Sequence, residues 1–240
     1  MEHDGNSLFI PRVNWLTAGL LEDSSEYEIT VKLFLLAGSK AADREQHIKD
    51  ALSLVSKELR LQAIDLLILA FPGLSFEGDC EWKADRLNAE QGNLDEEIET
   101  WKVVENLHQQ GIVKRLGVSE FGSQKLEAFL ERASIPPAVD QVNLKDCCNV
   151  PPPLKKLAEA KQIELNVHTD CTDVLPRGTL RELLAHEKVV PSLPNGTTNG
   201  TTASHTEILP QWVVRYTAFI RDRGVIENKG YFASALLQTV

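Results

Sequence analysis

Residues 63–73, AIDLLILAFPG, narrow the possible folds of this chain more than any other stretch. After Asp65 the run is apolar at every position, and it stops at a Pro-Gly turn signal. A strand apolar on both faces belongs in a parallel sheet covered by helices. In such sheets the chemistry gathers at the carboxyl ends of the strands. Here that end is Leu69, Ala70 and Phe71, none of which can move a proton.

The rest of the chain supplies the helices. Strand signals fall at residues 28–36, 63–70, 113–121, 138–144 and 163–170. Between the first two runs a helix carries Ile48, Ala51, Leu52, Val55 and Leu59 on one stripe. Asn93 can cap the next helix, with Glu96 as its capping-box partner and Ile98, Trp101, Val104 and Leu107 as the buried side. Its acidic start, Asp95 to Glu97, reads as charge complementing the positive helix end. Further helices are expected at SQKLEAFLERA, at PPPLKKLAEAKQ with proline in its first turn, and at RGTLRELLAHE. Residues 190–206 read as a mobile loop. The segment LPQWVVRYTAFIRDRG, residues 209–224, reads as a helix, followed by VIENKGY and a short final helix.

Strand–helix alternation with short links means parallel strands with right-handed crossovers. Doubly wound sheets and (β/α)8 barrels both satisfy it. No GxGxxG or GxxxxGK[ST] follows a strand, which weakens the nucleotide-binding doubly wound option. HExxH, CxxC and GxSxG are absent as well, and the histidines and cysteines have no metal-ligand spacing. Acidic residues outnumber basic ones by 35 to 25. A surplus of that sign argues against nucleic acid or an anionic membrane as the partner. MEHDGNSLFIPR lacks the parts of a signal peptide, so the cytoplasm is the expected compartment and the four cysteines are expected as free thiols.

LGVSEF and DQVNL resemble two consecutive barrel strands of the aldo-keto reductases. VVRYTAFIRDRGVIENKG is similar to the later helix and phosphate-binding segment of that fold. QVNLKDCCNVPPPL and RYTAFIRDRGVIENKGY resemble one branch more closely, the regulatory (modifier) subunits of glutamate–cysteine ligase. The resemblance covers roughly residues 28–240. It implies a (β/α)8 TIM-type barrel, whose amino-terminal units are shortened, hidden in SLFIPRVNWL or missing, as a single domain over residues 1–240 with 1–27 as a weakly matching arm. It also implies a non-catalytic chain whose partner is the catalytic subunit of that ligase, in a heterodimer. The alternative is an NADPH-dependent reductase with a divergent site.

Reductases of this kind use Asp, Tyr, Lys and His, with the Tyr as proton donor. By resemblance Lys32 stands at the Lys position, and strand parity places it opposite Ile29, Val31, Leu33 and Leu35. Ala70 stands where the histidine belongs. Tyr27 lies four residues after Asp23 and five before Lys32, too close for the Asp–Tyr unit, so the proton donor is expected to be absent and Lys32 a remnant. Ser119 and Gln141 match nicotinamide-binding positions, His168 the stacking residue, and Lys229 the neighbourhood of the 2′-phosphate. Glu120 replaces a neutral amide among them. No cofactor is therefore expected to be required. The adjacent Cys147 and Cys148, at a strand's carboxyl end, are candidate partner contacts.

Overall fold

The computed structural model describes residues 2–5, 7–11, 14–78, 80–144, 149–186 and 206–239. It opens with a small antiparallel pair, β1 (Glu2–Asp4) and β2 (Ser7–Phe9). The main body runs β3 (Tyr27–Leu35), α1 (Arg44–Leu59), β4 (Ile64–Ala70), α2 (Glu81–Asn88), α3 (Leu94–Gln109), β5 (Val113–Ser119) and α4 (Ser123–Leu130). It continues with β6 (Val139–Asn143), α5 (Pro152–Lys161), β7 (Glu164–His168), α6 (Arg177–His186), β8 (Thr206–Ile220) and β9 (Val225–Thr239).

Seven strands form one sheet in the order β7-β6-β5-β4-β3-β8-β9. The first five are mutually parallel, as the alternation requires. Their helix-facing side chains, among them Val31, Leu33, Leu67, Leu69 and Val118, form one core with Ile48, Val55, Trp101 and Val104 from the helices. The 63–73 run thus buries both faces: Leu66 and Ile68 pack with Val139 on the other side of the sheet.

Local signals act as expected with one exchange. The Asn93 side chain accepts hydrogen bonds from the backbone N–H groups of Asp95 and Glu96. The return bond to the Asn93 N–H, at 3.0 Å, comes from Glu97 and not from Glu96. Glu96 turns instead to Arg44, at 2.9 Å.

The larger difference lies at the carboxyl end. Residues 209–224 do not form a helix; they lie in β8 and in the turn that leads to β9, and VIENKGY with the residues after it forms β9 rather than ending in a helix. The physical reason is a period of two. Trp212, Val214, Tyr216, Ala218 and Ile220 all enter the core, and alternate residues face away. The run is also rich in β-branched and aromatic residues. Gly224 makes the turn at φ +65°, where a side chain would be strained. β8 pairs antiparallel along the whole length of β3, from Tyr27–Ile220 to Leu35–Trp212.

The sheet is strongly curled. Asp170, just beyond β7, meets Lys32 of β3 at 3.0 Å. Four strand steps would separate those strands by about 19 Å in a flat sheet. The described strands therefore trace an arc of the TIM-type α/β barrel that the sequence suggests, with an antiparallel hairpin flanking its first long strand. Among the described residues no helix is long and apolar enough to cross a membrane.

Candidate functional site

A cavity of about 580 Å³ opens at the carboxyl ends of β3 to β7. Its walls include Lys32, Phe34, Ala70, Ser119, Glu120 and His168. Register explains the grouping: Phe34, Ala70 and Ser119 lie level on three neighbouring strands, and Ser119 is level with Gln141.

Lys32 is 2% exposed and fully engaged. Its ammonium donates to Gln141 Oε1 at 2.8 Å and to Asp170 Oδ2 at 3.0 Å. Burial draws its pKa down, against the pull of Asp170. Arg215 lies directly opposite Lys32 on β8 and grips the same carboxylate with both guanidinium nitrogens. Two cations side by side on adjacent strands repel; Asp170 is their shared counter-ion. Burial opposes the charged form of Asp170, but Arg215 and Lys32 outweigh it and hold the carboxyl below its ordinary range.

His168 stands between two carboxylates. Its Nε2 contacts Glu120 Oε1, and its Nδ1 accepts the backbone N–H of Asp170 at 3.0 Å. Glu120 has φ +66°, a strained value for a residue with a side chain. Asn88 holds it there, donating to the Glu120 carbonyl at 2.7 Å and accepting from the Gly122 N–H at 2.6 Å. A Cβ on Gly122 would sit 2.6 Å from Asp85 Oδ1, so the bend after β5 needs glycine.

Asp140 is the other buried acid. It is wholly enclosed, with Phe121 N–H donating to Oδ1 at 3.4 Å and no partner for Oδ2. Burial, reinforced by Glu120, pushes its pKa well above the usual carboxylate value. The folded state therefore holds a proton that the unfolded chain releases near pH 3.8. The stabilisation this proton gives is full below that pH and is lost as pH rises through the folded-state value. Asp140→Asn, neutral at every pH, is expected to be more stable relative to the wild type at pH 7 than at pH 3. Urea denaturation at the two pH values checks it.

The predicted site residues divide as follows. Lys32, Ser119, Gln141 and His168 are brought together, and Ala70 lines the cavity with them. Ser119 Oγ donates to the Gln141 carbonyl at 2.9 Å. Lys229 does not join them: it lies in β9 opposite Thr217 and is not on the cavity wall. Cys147 and Cys148 fall outside the described residues, as does the expected loop up to residue 205; Thr206 already begins β8. Asp170 and Arg215 were not foreseen. Asp170 ends the strand signal NVHTD, and a buried lysine on the sheet's inner face calls for such an acid. Arg215 was hidden in a segment read as helix. None of the chain's three tyrosines, Tyr27, Tyr216 and Tyr231, lines the cavity.

The family model described as "Aldo/keto reductase family" matches residues 14–207. The chain is 25% identical over 214 residues to the glutamate–cysteine ligase regulatory subunit of Rattus norvegicus, covering 89% of this chain and 68% of the rat protein. The human protein of that name is 26% identical over the same shares. An Arabidopsis thaliana protein, aldo-keto reductase family 4 member C11, is 31% identical over 113 residues, 46% of this chain and 34% of that protein. Among solved structures, a Bombyx mori aldo-keto reductase in complex with NADP aligns with a TM-score of 0.42 at 23% identity, over 66% of this chain and 50% of that one. A second, from a deep-sea metagenome library, aligns with a TM-score of 0.39 at 23% identity, over 56% of this chain and 41% of that one.

Proposed function

We propose that this chain, which belongs to the aldo/keto reductase family, works as a non-catalytic regulatory subunit of glutamate–cysteine ligase in the cytoplasm, with the catalytic subunit as its partner. The observation that carries the non-catalytic reading is the state of Lys32. In a reductase the corresponding lysine lowers the pKa of a tyrosine proton donor. Here Lys32 is tied to Gln141 and Asp170, and no phenol reaches the cavity. Ala70 leaves the histidine position empty of chemistry. Loss of a general acid costs about two to four decades of rate. The names of the rat and human relatives support the partner.

The residues that the resemblance assigns to a nicotinamide dinucleotide are engaged with one another. Ser119 Oγ is spent on the Gln141 carbonyl, Gln141 Oε1 on Lys32, and His168 on Glu120 and Asp170. Lys229 is two strands away from β3, on the edge strand. This supports a chain that requires no cofactor.

A regulatory subunit acts by binding one state of its partner better than another. By the same resemblance it raises the partner's affinity for glutamate and weakens glutathione feedback. Mixed with the catalytic subunit, the chain is expected to co-elute from gel filtration and to lower the KM for glutamate about fivefold or more. Absence of a complex at micromolar concentration, or an unchanged KM, ends the proposal. NADPH-dependent turnover of an aldehyde panel would end its non-catalytic part and favour the reductase alternative.

A further inference from the structure

β9 is an edge strand of unusual kind. It is 15 residues long, and no described strand pairs with its outer side. Proteins protect such edges with charge, proline, bulges or shortness. The opposite edge follows that rule: β7 has five residues and carries Glu164, paired with Arg115. β9 has its bulge near the hairpin end, where the register skips Glu227. From residue 228 to 239 the register holds on the β9 side, with no proline and one charge, Lys229. Tyr231, Leu236 and Leu237 project from this stretch at 61%, 53% and 55% exposure.

The spacing of these side chains is self-complementary. In an antiparallel pair of identical strands related by a two-fold axis, residue i faces a residue at a fixed sum of numbers, and both lie on one face. An axis through Ser234 sets that sum at ~468, from twice its own number. Tyr231 then faces Leu237, and Phe232 faces Leu236, each twice. Ala233 faces Ala235, and Lys229 falls opposite position 239, which carries no charge. All the exposed large apolar side chains of the stretch meet an apolar neighbour in this register, and no like charges meet.

We propose that β9 is a homodimerisation edge at which a second copy of this chain pairs antiparallel about Ser234. The sheet would continue through the axis from one copy to the other. The contact closes on itself, because β7, the remaining edge, offers no matching strand. This inference does not depend on the partner proposed above.

The test is sedimentation velocity of the isolated chain from submicromolar to high micromolar concentration, with three sequences. The wild type is expected to pass from monomer to dimer and no further. Tyr231→Lys with Leu237→Lys places like charges opposite each other and is expected to weaken the dimer about tenfold or more. Tyr231→Glu with Leu237→Lys places opposite charges at the same points and is expected to restore it. Both positions are exposed, so circular dichroism should show the monomers folded. A wild type that is monomeric throughout, whether or not it takes a strand from another protein, overturns the proposal. So does open-ended aggregation, a dimer indifferent to the double lysine, or a dimer that the charge swap fails to restore.

Discussion

Asp170→Ala is expected to destabilise the chain by about 3–5 kcal/mol, read as a shift of the urea unfolding curve. The loss has a clear origin. Lys32 is buried and cannot rehydrate, and Arg215 stands directly across from it. Without the carboxylate the two cations face each other, and Lys32 keeps only its hydrogen bond to Gln141 Oε1. Removing Lys32 at the same time should recover part of the loss: Lys32→Met with Asp170→Ala is expected to be more stable than Asp170→Ala alone, a coupling that a double-mutant cycle measures. The pH dependence follows from the depressed pKa of Asp170. Its contribution is complete above about pH 4, the unfolded value, and fades as pH falls through the folded-state value. The alanine variant should lack that acid limb. If Asp170→Ala unfolds at the wild-type midpoint, the shared counter-ion has no energetic role.

Glu97→Ala is expected to cost about 3–5 kcal/mol, although it removes one acid from a run of three. Glu97 is 2% exposed. One carboxyl oxygen closes the cap on the Asn93 N–H, and the other meets Lys125 at 3.0 Å. Lys125 is itself buried, and beyond Glu97 it has the Gln91 carbonyl at 2.8 Å and the face of the Phe121 ring. Truncating Glu97 therefore opens the helix end and strands a buried ammonium together. The neighbouring Asp95 pairs with Arg132 from an exposed position. Asp95→Ala should change stability by no more than about 0.5–1 kcal/mol. Equal effects from the two variants would contradict this division. The run occupies the first turn of α3, as the helix-start reading expects, and each acid also has its own contact, to Arg132, Arg44 and Lys125.

The parallel half of the fold was legible because its signals are local. An apolar run bounded by Pro-Gly, an Asn cap and a Pro-led helix each declare themselves within ten residues. Lys32 was placed correctly on the inner face because strand parity is a local property too. Its partners were not legible. Gln141 lies 109 residues away and Asp170 lies 138 away, and only the curl of the sheet brings them together. The carboxyl-terminal error had another cause. A resemblance to a helix and phosphate-binding segment outweighed the alternation from Trp212 to Ile220, which is a period of two when read by itself. With that segment extended, Arg215 reaches the site and Lys229 leaves it.

The pairing of β3 with β8 has a consequence for how the chain is made. During synthesis β3 finds β4 within 40 residues, yet its other edge must wait for residues 212–220. Until then the nine residues of β3 present unpaired backbone on that side. Contacts of such sequence separation form slowly and leave intermediates that associate. The sheet is thus sealed on that side only once residues 212–220 have been made. A ribosome stalled before residue 206 would hold a chain with every βα unit made and its central seam still open.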